Sequence, residues 1–405
     1  MKVVYLDNNA TTRVDPEVFE AMLPLLTDQF GNPSSAHGFG ALAGAALRNA
    51  RRQLQALIGA EFDDEITFTS GGTESDNAAI LSALQVMPDR TEIVTSAVEH
   101  PAVLTLCAHL EETRRVKVHR IPVDCQGRLN IDAYRAALNP NVAIVSIMWA
   151  NNETGTIFPV AKLAELAKEV GALFHTDAVQ AVGKLPMDLK STAIDMLSLS
   201  SHKFHGPKGA GALFIKRAVR FHSLIKGGHQ ESDRRAGTEN TPGIVGLGMA
   251  AELALKFMDE ETPRIKWLRD RLENGLVQRV PNSFVNGDPL ERLPNTASIG
   301  FERIEGHGIL HLLDRKGIVC SSGSACTSGC AEPSHVLSAM KMPYGAVRFS
   351  FSRDNDQEDV DRVLEVLPAI VEKLRDASTS EPDSWGAEDL HCVPGLSGRR
   401  TGHHS

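Results

Sequence analysis

The sequence predicts an α/β protein built on a mostly parallel sheet, with helices covering both faces. Strand-like runs alternate with helix-like runs from about residue 60 to residue 215. The strand-like runs are apolar at nearly every position, which is typical of parallel strands buried on both sides. The chain has 405 residues, more than the roughly 250–300 at which a single core tends to divide, so we also expect a smaller α+β domain.

The first predicted helix begins at Pro16, because Asp15 can cap its free N–H groups and proline is tolerated in the first turn. Strands follow where short runs rich in β-branched residues are bounded by turn residues. They are predicted at Glu65–Thr69, Thr91–Thr95, Val116–Pro122, Val142–Met148, Ala172–His175 and Met196–Leu199. A helix through Leu84 is expected after Gly71 and Gly72.

The second half of the chain predicts fewer strands and longer helices. A helical block at Gly243–Met258 is expected to bridge the two domains, and Gln357–Leu374 reads as a final amphipathic helix. Thr296–Phe301 and Ala346–Phe351 are predicted strands of the smaller domain.

These elements give a domain prediction in three parts. Residues 15–258 form the large domain, and residues 1–14 together with 259–376 form the small one. Residues 377–405 are rich in Ser, Gly, Pro and charge, and they predict a disordered tail.

Composition argues against several classes of partner. The formal net charge is -9 and the basic residues form no single stripe, which argues against nucleic acid and anionic membranes. No apolar run approaches the roughly 18 residues of a membrane span. The N-terminus turns polar too soon for a signal peptide, and the chain has only six cysteines. We therefore expect reduced thiols and a cytoplasmic location.

Five polar residues each follow a predicted strand, where sites in parallel sheets are found. They are Thr73, His100, Asn152, Asp177 and Lys203. A buried lysine with an acid and an amide facing one ring is the layout of a pyridoxal phosphate site. The Lys203 amine would form a Schiff base, Asp177 would keep the pyridine nitrogen protonated, and Gln180 could reach the phenolic oxygen. The alternative for Asp177 is a helix cap after the strand.

Ser70-Gly71-Gly72-Thr73-Glu74 joins a strand to a helix, and its glycines would let the backbone approach a phosphate. The alternative is an ordinary helix that Thr73 caps, with Asp76 at its third position. His100, before Pro101, could stack on the ring and move protons. Its alternative is a structural histidine.

Asn152 lies in a segment that is typical of a turn. Without the rest of the pattern, we would interpret it as an ordinary loop residue. Arg348 lies on an alternating strand, where a guanidinium could clamp a substrate carboxylate. The alternative for Arg348 is a surface arginine. The polar segment from Arg234 to Asn240 could reach a phosphate, including one across a subunit boundary.

Cys320, Cys326 and Cys330 follow one another at intervals that fit a metal site poorly. A single nucleophilic thiol, Cys326, on a loop rich in glycine and serine fits better. The alternative interpretation is that Cys326 is an iron–sulfur ligand. Our prediction is that the chain has no metal site.

These motifs together make the chain resemble the cysteine desulfurases of the class V aminotransferase superfamily. The resemblance extends from Tyr5 to about Arg375 and includes Gly31-Asn32-Pro33-Ser34-Ser35 and Arg235-Ala236-Gly237-Thr238-Glu239-Asn240. Within the family, Asp7-Asn8-Asn9-Ala10 and Gly227-Gly228-His229-Gln230-Glu231 make it most similar to the NifS-like, nitrogen-fixation type.

The resemblance implies the fold-type I architecture, with a seven-stranded type of sheet, a homodimer and pyridoxal phosphate. It implies Lys203, Cys326 and His100 as catalytic residues, and Asn152 and Arg348 as ligands of the substrate carboxylate. The cofactor-binding residues it implies are Gly72, Thr73, His100, Asn152, Asp177, Gln180, Ser200, Ser201, His202, Lys203 and, from the other subunit, Thr238.

The implied reaction removes sulfur from L-cysteine, leaving L-alanine and a persulfide on Cys326. The implied acceptor is an iron–sulfur scaffold protein, here for nitrogenase clusters. Two alternatives stay open. One is a selenocysteine lyase or aminotransferase on the same fold, and the other is a non-catalytic metal or iron–sulfur protein that uses the three cysteines.

Overall fold

The computed structural model describes residues 2–304, 306–322, 334–342 and 344–378. The described residues form these strands: β1 (Val4–Tyr5), β2 (Ile66–Thr69), β3 (Glu92–Ser96), β4 (Lys117–Ile121), β5 (Val142–Ser146), β6 (Leu173–Asp177), β7 (Met196–Ser200), β8 (Gly211–Ile215), β9 (Ser283–Val285), β10 (Thr296–Phe301), β11 (Ile318–Val319) and β12 (Ala346–Ser350). They form these helices: α1 (Pro16–Leu26), α2 (Gly38–Ile58), α3 (Gly72–Val86), α4 (Pro101–Arg114), α5 (Ile131–Ala137), α6 (Val160–Glu169), α7 (Thr241–Arg279), α8 (Gly306–Asp314), α9 (His335–Ala339) and α10 (Gln357–Ser378).

The central sheet has seven strands in the order β2-β8-β7-β6-β5-β3-β4. Strand β8 runs antiparallel to both of its neighbours, and the remaining pairs are parallel. The predicted fold class, an α/β protein with a mostly parallel sheet, is confirmed.

Helices cover both faces of this sheet because its strands are apolar on both sides. Consecutive residues of a strand enter opposite cores: Ile144 packs with α3 and α4, while Val145 packs with α6 and α7. Every residue of β5, β7 and β8 is buried. The central strands therefore meet solvent only near their ends, and at these ends a site can form.

A second core lies around the antiparallel sheet β12-β10-β9 and the short parallel pair β1-β11. It contains Val4 and Leu6 from the N-terminus and residues from Ile265 to Val371. Helix α7 contributes its first half to the large core and its second half to this one. The domain boundaries proposed above stay a prediction.

Helix α7 is longer than the sequence predicted, since it continues from Met258 to Arg279. Pro263 inside it removes one backbone donor, and the residue four positions earlier, Asp259, is exposed, so water can satisfy its carbonyl. Buried side chains at Ile265, Leu268, Leu272 and Leu276 then continue a helical spacing, and their packing outweighs the lost hydrogen bond.

The C-terminal helix also runs further than predicted, to Ser378, so the helix takes in the first two residues of the predicted tail. Residues 379–405 lie outside the described residues. Among those described, none of the helices combines the length and the apolar character needed to cross a bilayer.

Candidate active site

A cavity of about 460 Å³ opens at the carboxyl ends of β2 and β7. Its wall is formed by Ala10, Thr11, Ser70, Gly71, Gly72, Thr73, Glu74, Ser200, His202, Lys208 and Gly209. The predicted residues Gly72, Thr73, Ser200 and His202 thus share one wall, although 127 positions separate Thr73 from Ser200 in the chain.

The N-terminus of α3 forms one side of this cavity, and glycine is required there. Gly71 has φ of +153°, and a Cβ on Gly72 would lie 2.7 Å from Val179 Cγ2. No side chain caps this helix, because its N-cap residue is Gly71. The alternative of a helix capped by Thr73 is therefore wrong. The N–H groups and positive dipole end of a 15-residue helix are left to bind an anion.

Lys203 ends the 3-10 turn that follows β7. Its Nζ donates hydrogen bonds to the backbone carbonyls of Asn9 and Ala10, both at 2.7 Å. Ala10 also lines the cavity of about 460 Å³. Lys203 itself lines a second, smaller cleft of about 40 Å³.

Asp177 is the last residue of β6 and is buried. Burial raises the pKa of its carboxyl, while the Val179 N–H and the positive charges of His100 and Lys203 oppose that rise. Its Oδ1 accepts from the Val179 N–H at 2.9 Å within the turn that follows the strand. No helix begins at this point of the described chain, so the helix-cap alternative is wrong. The turn contact still leaves acceptor positions on the carboxylate for another donor.

His100 is the N-cap of α4, and its Nδ1 accepts from the Ala102 N–H at 3.1 Å. Burial is the main effect that lowers the pKa of this imidazole, and the charges of Lys203 and His335 lower it further. Asp177 acts in the opposite direction. Because Nδ1 accepts a hydrogen bond, the neutral form of the ring carries its proton on Nε2.

Arg348 is only 4% exposed, so the alternative of a surface arginine is wrong. Its Nη1 donates to the backbone carbonyl of Asn152 at 3.0 Å, and its Nη2 donates to Asp7 Oδ1 at 2.8 Å. The structure thereby brings together the two residues predicted to bind a carboxylate. Arg348 Nε is buried without a hydrogen-bond partner in the structure.

The remaining predicted residues either do not line this cavity or lie outside the residues that the structure describes. Ser201 is fully buried, and its hydroxyl has no hydrogen-bond partner among the described residues. Thr238 lies on an exposed loop and does not line the cavity of its own chain. Cys326 and Cys330 lie outside the described residues. The roles predicted for these residues stay predictions.

Asn9 is the residue that sequence reasoning missed. Its carbonyl accepts from Lys203 Nζ and from Gln180 Nε2, at 2.7 and 3.0 Å. Its side-chain amide donates to the carbonyl of Asn152, at 3.0 Å. The polar run that follows β1 was the only signal for it, and such a run is typical of any loop. Lys208 and Thr11, which line the cavity, were missed for the same reason.

The site fits pyridoxal phosphate on three observations. The helix end without a side-chain cap can bind a phosphate, and the cavity volume suits a small aromatic ring. Asp177 lies at the carboxyl end of β6, and Gln180 lies in the turn that follows. Lys203 and Gln180 both donate hydrogen bonds to the backbone carbonyl of Asn9. An amine, an acid and an amide are thus available for the aldehyde, the ring nitrogen and the phenolic oxygen.

Comparison with known proteins shows the family to which this chain is similar. A cysteine desulfurase of Sinorhizobium fredii is 71% identical over 381 residues, which are 93% of this chain and 98% of that protein. Cysteine desulfurase NifS of Azotobacter vinelandii is 58% identical over 393 residues, 96% of this chain and 98% of that protein. A solved NifS-like protein superposes with a TM-score of 0.85 at 37% identity, over 93% of this chain and 100% of the other. The family model for class-V aminotransferases matches residues 4–363, and the chain belongs to this family.

Proposed function

We propose that this chain is a pyridoxal phosphate-dependent cysteine desulfurase that transfers sulfur from L-cysteine to its own Cys326. The observation that carries the proposal is the set of contacts around Asn9. This residue links Lys203 and Gln180 on one side to Asn152 on the other, and Arg348 donates to the same Asn152 carbonyl. Groups for an aldehyde, a ring and a substrate carboxylate therefore lie around one residue.

Different residues of the chain carry out different parts of the proposed reaction. When bound, pyridoxal phosphate supplies a protonated ring that accepts the electrons released at the substrate α-carbon. Thr73, Ser200 and His202 hold the phosphate together with the α3 N-terminus, and Asp177 keeps the ring nitrogen protonated. Lys203 removes the α-proton of the substrate and later returns a proton.

Arg348 and Asn152 would hold the substrate carboxylate and so orient the substrate for attack on its sulfur by the Cys326 thiolate. The sulfur–carbon bond of cysteine breaks as a sulfur–sulfur bond to Cys326 forms. Cysteine plus the enzyme thiol become alanine plus an enzyme persulfide, so atoms and electrons balance without an added oxidant.

The sulfur acceptor that we infer is an iron–sulfur scaffold protein, and the process is the assembly of nitrogenase clusters. Support comes from the similarity to the NifS enzyme of Azotobacter vinelandii and from the NifS-like motifs in the sequence. A cytoplasmic location, where such thiols stay reduced, is part of the same proposal.

We also infer a homodimer with shared sites. Helix α1 exposes an apolar stripe at Phe19, Leu23 and Leu26, which are 56%, 45% and 58% exposed, and Phe30 beyond it is 72% exposed. An apolar stripe of this kind is typical of an interface. Thr238, exposed and away from its own cavity, is then free to reach the phosphate of the partner subunit.

The test uses the purified holoenzyme with a thiol reductant. Adding L-cysteine should shift the visible cofactor band and release alanine and sulfide in equal amounts. Lys203→Ala should abolish both products, because it removes the α-proton base. A band that does not respond to cysteine, or sulfide release at the normal rate from Lys203→Ala, would reject the proposal.

A further inference from the structure

Lys184 contacts Gln180, the residue assigned above to the phenolic oxygen of the ring. Its Nζ donates to Gln180 Oε1 at 3.0 Å and to the Gln180 backbone carbonyl at 3.1 Å. Lys184 is not among the residues that the sequence pattern identified. Lys184 therefore has a place in the site that remains to be explained.

The local chain is shaped to make this contact. Ala178 begins a turn in which the Ala181 and Val182 N–H groups both donate to its carbonyl, each at 2.9 Å. Gly183 then takes a φ of +76°, and a Cβ there would lie 2.8 Å from Phe204 Cβ. Only glycine fits this left-handed, crowded position. The resulting reversal returns the Lys184 side chain to Gln180.

The two partners of the Gln180 amide fix its orientation. An ammonium group can only donate, so the atom facing Lys184 must be the amide oxygen. A carbonyl can only accept, so the atom 3.0 Å from the Asn9 oxygen must be the amide nitrogen. A flipped amide would lose both bonds. One N–H goes to Asn9, and the second is left for the ring oxygen.

Keeping Lys184 charged at this position costs desolvation free energy, which argues against an incidental contact. The pKa of this amine is lowered to about 7, mainly by burial and in part by the positive charges of Lys203 and Arg348. A lysine with no role in this cleft would be easier to keep in solvent. Its two carbonyl partners offset part of the desolvation.

We propose that Lys184 is a positioning residue that holds the Gln180 amide with its N–H₂ group directed at the phenolic oxygen of pyridoxal phosphate. The inference rests on the proposed function, since it needs the cofactor in this site. Lys184 acts through Gln180, so the two residues should behave as one unit.

The experiment compares Lys184→Met, Gln180→Ala and the double variant as purified holoenzymes. The readouts are the position of the visible cofactor band and the apparent Kd for pyridoxal phosphate. Lys184→Met should shift the band in the same direction as Gln180→Ala and weaken cofactor affinity about tenfold, the loss expected for one hydrogen bond to a charged oxygen. The double variant should match Gln180→Ala alone.

Two further variants exclude a general loss of structure. Lys190→Met removes an exposed lysine whose Nζ is 3.7 Å from Asp188, and it should change neither readout. Lys184→Arg keeps the donors and should retain the wild-type band, which tests the proposal even if Lys184→Met folds poorly. A wild-type band and Kd in Lys184→Met, or an Arg variant that behaves like Gln180→Ala, would overturn it.

Failure of the proposed function gives a different result. In that case the wild-type protein itself would bind no pyridoxal phosphate or would not respond to cysteine. A wild-type enzyme that binds the cofactor and turns over, together with additive effects of the Lys184 and Gln180 substitutions, would reject only the positioning role.

Discussion

The guanidinium of Arg348 donates to the carboxylate of Asp7 across 2.8 Å, although the two residues lie 341 positions apart in the chain. An isolated bridge between Asp7 and Ser350 holds the N-terminal segment beside β12. The ion pair fixes the planar guanidinium while Nη1 contacts the Asn152 carbonyl. If Arg348 binds the substrate carboxylate as proposed, its guanidinium is already oriented before the substrate arrives.

Arg348→Ala should raise KM for L-cysteine by about 10- to 150-fold, the loss expected for hydrogen bonds to a charged group. The visible cofactor band should stay unchanged, because Arg348 is assigned to the substrate. Steady-state kinetics and the absorption spectrum check both parts. Arg271→Ala is the matched control, since Arg271 pairs with Asp361 on the surface. A normal KM in Arg348→Ala would contradict the assignment.

Two of the described cysteines, Cys107 and Cys320, are in surroundings that disfavour the thiolate, which sharpens the prediction for Cys326. Burial raises the pKa of the Cys107 thiol to about 12 and raises that of Cys320 as well. Since the thiolate is the reactive form, neither can attack sulfur at neutral pH. Cys326→Ala should therefore stop sulfide release while leaving the cofactor bound.

Cys320→Ala and Cys330→Ala are the controls and should remain active. A cluster of three metal ligands would behave differently, because each substitution would then lose metal and none would stop sulfur transfer alone. Measuring sulfide and metal content across the three variants separates the readings. Equal losses in all three would reject Cys326 as the sole nucleophile.

Residues at strand ends could be predicted from the sequence because the signal is local. Asp177 and Lys203 each follow a short apolar run closely, and parallel strands place such residues at one edge. The same reasoning gave Thr73, although its alternative role as a cap could be rejected only once the helix was seen to begin at Gly72.

Asn9 and Asp7 could not be predicted in the same way. Their partners, Gln180 and Arg348, come from distant parts of the chain, and a polar run after a two-residue strand has no distinguishing period. Strand β8 was not among the predicted strands, because it follows a glycine-rich turn and ends without a candidate polar residue. These features depend on pairing between distant parts of the chain, and no local sequence pattern indicates such pairing.

The exposed stripe on α1 predicts that Leu26→Asp will dissociate the homodimer. A charge at a buried interface costs free energy because it loses its hydration without a partner. Light scattering should show a shift towards monomer, and cofactor affinity should fall because Thr238 of the partner no longer reaches the phosphate. Leu290→Asp is the control, since Leu290 is 83% exposed and lies outside the stripe.

Two outcomes would contradict different parts of this prediction. A Leu26→Asp variant that remains dimeric would place the interface elsewhere. A monomeric variant with wild-type affinity for pyridoxal phosphate would show that Thr238 does not complete the partner's site.

Glu99 predicts a specific dependence of stability on pH. The carboxyl is fully buried and accepts from the Ser96 hydroxyl at 2.5 Å and from the Met148 N–H at 3.0 Å. Burial is the largest effect and raises its pKa from 4.5 to about 8. Between these values the folded protein keeps a proton that the unfolded chain has released. The stabilisation is therefore complete below pH 4.5 and is lost as the pH rises towards 8.

Glu99→Gln should remove this dependence, because an amide keeps the polar contacts and does not titrate. Between pH 5.5 and 7.5, the free energy of unfolding of the variant relative to wild type should rise by about 1.4 kcal/mol per pH unit. Denaturant unfolding at several pH values measures it, with the exposed Glu169→Gln as control. Parallel curves for wild type and Glu99→Gln would show that Glu99 ionises in the folded protein as readily as in the unfolded chain.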